Sequence, residues 1–178
     1  MTKTPKFDNL DRARVIQEIE RLFDVKLSQF GFRPKEQVDA NGKLFWVLGG
    51  YGDWHGLPAD MLERARSSAT VGRIVIAKRL KAKMRIYIGS IGPFVAEVDK
   101  LIKTKKGDYH FDQEIRHGNL RVKQLPNAKF ELLSEVDISD SDKVQDKRKS
   151  DLVRQYKSMS PEEKAEFMEA LGIRNSEA

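Results

Sequence analysis

The chain contains no cysteine, which excludes disulfides, thiolate nucleophiles and cysteine-ligated zinc or iron sites. It also lacks any apolar run near the roughly 20 residues that a membrane-spanning helix needs. Met1 to Asp8 is polar, without the apolar stretch of a signal peptide, so the expectation is a cytoplasmic protein with no membrane partner. Histidine is scarce. His55, His110 and His117 have no metal-ligand spacing between them, and no serine stands in a nucleophile motif.

Charge is what the chain has in quantity. Charged residues make up 34% of the 178, and hydrophobic residues 39%, which describes a globular domain with a heavily charged surface and an appended segment. The net charge of +6 is unevenly spread. Between Thr70 and Gly107 ten basic residues face two acids, Glu97 and Asp99, so this stretch alone carries +8. A local excess of that kind creates a field that attracts polyanions.

Periodicity predicts an α+β fold with a mainly antiparallel, twisted sheet, an N-terminal amphipathic helix and a C-terminal helical arm. Val15, Ile16, Ile19, Leu22, Phe23, Leu27 and Phe30 recur at helical spacing, so the first helix is expected over Leu10 to Phe30. Asp8 or Asn9 would cap it, and Gly31 with Pro34 would end it. A strand over Lys43–Leu48, a helix over Pro58–Arg66 and a hairpin over Thr70–Leu80 and Lys83–Ser90 follow. A helix over Pro93–Lys103 and strands over Asp108–Ile115, Leu120–Gln124 and Lys129–Val136 complete a core domain of residues 1–137. Residues 138–178 read as a linker and charged arm. There Ser160-Pro161-Glu162-Glu163 forms a capping box ahead of Ala165, Phe167, Met168 and Leu171. Residues 143–172 are the segment for a protein partner or a second copy.

Two places invite chemistry. If Ile74, Ile76, Met84, Ile86 and Ile88 face inward, Arg73, Arg79, Lys83, Arg85 and Tyr87 face outward, with Lys81 in the connection. With Lys103, Lys105 and Lys106 they would form a basic surface bearing one aromatic, suited to the phosphate backbone of DNA or RNA without a cofactor. The alternative is a solvated face whose charges confer only solubility.

The second place is Gly49-Gly50-Tyr51-Gly52-Asp53-Trp54-His55-Gly56-Leu57-Pro58, which holds four of the twelve glycines. Such glycines serve either a backbone with φ > 0 or a close approach of something to the chain. The loop would offer N–H groups to an anion with His55 as an added donor, and Asp53 would orient the imidazole. A metal-dependent nuclease is the alternative function, with Asp53, His55 and Glu63 around Mg2+ and Lys78 activating water. Ile76 stands where such a site wants an acid. The bland alternatives are a tight turn with Trp54 plugging the core, and a Lys78 that reaches water along its apolar stem. A protein-interaction module acting through the C-terminal helices is the third reading.

Overall fold

A computed structural model of the chain describes residues 7–50, 52–68, 71–80, 82–138, 154, 156, 158–161, 163 and 164. The chain divides into two compact units, residues 1–137 and residues 138–178. In the second unit, Ser160 and Glu163 exchange the two hydrogen bonds of a capping box, at 2.7 and 3.3 Å. The other arm residues singled out by the sequence, from Ala165 to Gly172, lie outside the described residues.

Helix α1 (Asn9–Phe23) is opened by Asp8, whose carboxylate accepts the Asp11 N–H while the Asp11 carboxylate accepts the Asp8 N–H. The helix ends at Phe23, short of the expected Phe30. Asp24 adopts φ 52°, a conformation aspartate tolerates, and its N–H closes on the Glu20 carbonyl. The Glu20 carboxylate then takes the Leu27 N–H at 2.8 Å, turning the chain into β1 (Ser28–Gln29).

The remaining elements are β2 (Glu36–Val38), β3 (Leu44–Gly50), β4 (Trp54–Leu57), α2 (Ala59–Ser67), β5 (Arg73–Arg79), β6 (Lys83–Ser90) and α3 (Gly92–Ala96). After them come a 3₁₀ turn (Val98–Lys100), β7 (Ile102–Lys103), β8 (Tyr109–Arg116), β9 (Asn119–Val122) and β10 (Phe130–Asp137). The helix expected over Pro93–Lys103 is broken because Ile102 and Lys103 pair with His110 and Tyr109 as a strand. The fold is mixed α+β, and its larger sheet is largely antiparallel.

That sheet has six strands in the order β1-β2-β3-β5-β6-β10, and only β3 and β5 run parallel, joined by a crossover that carries β4 and α2. A smaller sheet orders β4-β8-β7, with β9 on β8. The crossover puts Gly50 beside Lys78 at the carboxyl ends of the two parallel strands.

The hairpin departs from the expected parity. Ile76 lies opposite Tyr87 and Ala77 opposite Ile86, so Ile74 and Ile76 share a face with Tyr87 and not with Met84, Ile86 and Ile88. A shift of one residue moves every side chain of a strand to the other face. Both faces are covered. On one, Trp46, Ile74, Ile76 and Tyr87 join Leu57, Met61, Phe94 and Phe111 in the main core. On the other, Val75, Ala77 and Ile86 are fully buried under α1, which bonds Arg79 through Asp11 and Ser134 of β10 through Glu18 at 2.6 Å.

Candidate functional site

The basic hairpin surface expected from the sequence is largely consumed by the fold. Arg79 and Tyr87 are buried, which corrects their outward placement: Arg79 pairs with Asp11 and Tyr87 packs in the core. Lys83 and Arg85 remain at the surface but share one carboxylate, Glu135 of β10, at 2.8 and 2.9 Å. Arg73 is exposed, and Lys81 lies outside the described residues. Of the lysine-rich segment, Lys103 sits over the Tyr109 ring at 5.8 Å while Lys105 and Lys106 are exposed. Substituting Lys83→Gln and Arg85→Gln together is therefore expected to change affinity for a polyanion by no more than about twofold, since Glu135 and Asp137 together already offset them. A filter-binding titration over a range of salt checks it, and a large loss would restore the hairpin as a contact surface.

The glycine-rich segment is organised differently from a phosphate loop. None of its described glycines adopts positive φ; the glycines that do are Gly31, Gly42, Gly107 and Gly118. Space, not backbone freedom, accounts for Gly49, because a Cβ there would lie 2.3 Å from the Phe7 ring. At Gly52 and Gly56 an added Cβ would meet only atoms of Trp54, at 3.9 and 3.7 Å, so no packing demands glycine there. These two line an open cleft.

Trp54 does not plug the core. It is 63% exposed on the outer strand β4, its ring edge-on to His110 with centroids 6.0 Å apart. His55, next in the strand, points the other way and is 7% exposed against Phe111. Gln113 of β8, and not Asp53, orients the imidazole. The Gly52 carbonyl can only accept, so the Gln113 amide nitrogen faces it at 3.0 Å; the same nitrogen lies 2.9 Å from His55 Nε2, which therefore accepts. The ring proton sits on Nδ1. Burial, with the Lys78 charge adding to it, pushes the His55 pKa down to about 4, so the ring is neutral at physiological pH.

Lys78 is buried at the end of β5, where its ammonium bonds the Gly52 carbonyl at 2.5 Å and lies 3.5 Å from Asp53. Burial holds its pKa below the usual lysine value. The structure thus brings Asp53, His55 and Lys78 together. Glu63 is not with them: it is exposed on α2 and pairs with Arg66 at 3.5 Å. Among the described residues no group of three His, Cys, Asp or Glu side chains could hold a metal ion.

Two clefts meet at Trp54. One, of about 380 Å³, is bounded by Arg12, Lys35, His55, Gly52, Gly56 and the indole. The other, of about 460 Å³, lies between Lys35, Trp54, Lys105, Lys106, Tyr109 and His110. Arg12 and Lys35 carried no signal in the sequence; they come from α1 and from the turn before β2, far along the chain from Trp54. Gln113 was equally silent, being one polar residue in an alternating strand. Comparisons with family models, with curated proteins and with solved structures match nothing, which leaves the side chains themselves to speak for function. No described helix is long and apolar enough to cross a membrane.

Proposed function

We infer that the chain binds single-stranded nucleic acid across the Trp54 face, with the indole as a stacking platform and Arg12, Lys35, Lys105 and Lys106 as backbone contacts. One observation carries this reading: an exposed tryptophan stands where two cation-lined clefts meet. An exposed indole gains no burial energy in the free protein and is open to a partner, and every base has a face that can stack on it. Lysine and arginine on both sides supply the charge that follows a phosphate backbone. The neighbouring Tyr109 and His110 extend the aromatic surface within the second cleft. The basic stretch noticed in the sequence contributes through Lys105 and Lys106, and the centre of the interface lies outside it.

The two tryptophans make the test direct. Trp46 is buried, so quenching of indole emission on adding oligo(dT) or oligo(rU) reports Trp54. Trp54→Ala is expected to weaken binding by roughly 1–3 kcal/mol, the worth of one stacked base, and Trp54→Phe to keep most of it. Melting should shift little in either, because the ring is exposed. Binding by Trp54→Ala at full strength would overturn the interface.

A further inference from the structure

The cleft under Trp54 holds more positive charge than its own acids answer. Arg12 donates from Nη1 to the neutral Asn9 side chain at 3.1 Å, and its Nε is buried with no hydrogen-bond partner among the described residues. Lys35 gives one of its three N–H groups to the Gly56 carbonyl at 3.3 Å, leaving two. Nearby carboxylates are shared with other partners, although Asp8 still acts on Arg12, and Glu36 and Asp108 on Lys35. Glu36 binds Arg64, Asp60 binds Arg33 and Arg64, Asp8 caps α1, and Asp108 accepts the Ala59 N–H at 3.1 Å. Burial, followed by the charges of Arg33 and Arg12, holds the Lys35 ammonium below its usual pKa and outweighs the opposing pull of Glu36 and Asp108. To these His55 adds an Nδ1–H that takes no partner among the described residues, on a ring that is 7% exposed.

We propose that this cleft is a binding site for a phosphate monoester. Charge makes the match: a monoester carries about −1.5 to −2 near neutral pH, against about −1 for the diester inside a nucleic-acid strand, and two cations converge here. Its three terminal oxygens can accept from the Arg12 guanidinium, the Lys35 ammonium and His55 Nδ1–H, and charge-assisted bonds of that kind are the strong ones. Gly52 and Gly56 keep the mouth clear of side chains, and Trp54 beside it receives whatever group the phosphate is attached to. The same chemistry is offered by the phosphorylated end of a nucleic-acid strand or by a small phosphorylated molecule. The first source rests on the interface proposed above; the site itself does not.

Titrating inorganic phosphate into the 15N-labelled full chain tests the site. Saturable shifts are expected at the His55 imidazole N–H and at the Gly52 and Gly56 amides, weakened roughly tenfold or more in the Arg12→Gln, Lys35→Gln double variant. Gly56→Ala is a milder probe, since its Cβ meets only the indole at 3.7 Å; it should fold normally and bind phosphate more weakly. Oligonucleotides with phosphorylated and with hydroxyl ends then separate the sources. A roughly tenfold preference for the phosphorylated end, lost in the double variant, assigns the site to a strand terminus. Equal affinity for both ends, with the phosphate shifts intact, assigns it to a small phosphorylated molecule. Absence of any shift at millimolar phosphate overturns the site, even if both oligonucleotides still quench Trp54, a result that would leave the nucleic-acid interface standing.

Discussion

Arg79→Met is expected to lower the stability of unit 1–137 by roughly 3–5 kcal/mol, a large share of what holds a domain of this size together. Arg79 and Asp11 each have side chains only 1% exposed, and they meet across the interface between β5 and α1. Removing the guanidinium leaves a carboxylate in a dry position. Its other contacts, the Asp8 N–H at 3.2 Å and Arg14 at 3.8 Å, are too weak to replace it. Adding Asp11→Asn to Arg79→Met should recover part of the loss, because the amide oxygen still accepts the Asp8 N–H and the stranded carboxylate is gone. Denaturant midpoints of the two variants provide the measurement; a cost below about 1 kcal/mol for the single variant would show that water reaches the pair. The result also governs how polyanion binding is probed. A variant that neutralises Arg79 together with Lys83 and Arg85 would lose binding by unfolding, and would say nothing about contact.

A second large effect is expected from acid. His55 titrates near 6.5 when unfolded and is pushed down to about 4 when folded, so between those values the unfolded chain binds more protons. Stability from this group is whole above pH 6.5 and falls as pH drops toward 4, by roughly 3 kcal/mol in all. Burial is the leading cause, and the Lys78 charge adds to it. In His55→Gln the extra slope should vanish from that window while carboxylate effects persist. Parallel pH profiles for the two proteins would mean that the imidazole is solvated in the folded state.

Local signals were legible in the sequence, and long-range pairing was not. Asp8 announced the start of α1, and the alternating runs β5, β6, β8, β9 and β10 were each placed to within a few residues. The first helix was overextended because Leu27 and Phe30 continue its spacing, although the Asp24 backbone and the Glu20 carboxylate had already turned the chain. Parity in the hairpin failed for a different reason. Register depends on how the connection closes, and with Arg79 opposite Met84 residues of unlike parity share a face. Arg79 looked like a surface cation because nothing near it in sequence reveals Asp11, 68 positions away. Trp54 and His55 were singled out together, yet adjacent residues in a strand face opposite ways: the histidine took the interior and the indole the solvent.

The cleft at Trp54 draws on α1, the turn before β2, and β4, with His55 held in place from β8. None of these segments owns it. A ligand there therefore binds a property of the whole folded unit and has no counterpart in the unfolded chain, so by mass action it must raise the melting temperature of unit 1–137 in proportion to the logarithm of its concentration above Kd. Thermal shift then becomes a way to search for the natural ligand without knowing its reaction. It also implies that a fragment carrying the glycine-rich segment alone would be inert, however dense that segment is in suggestive residues.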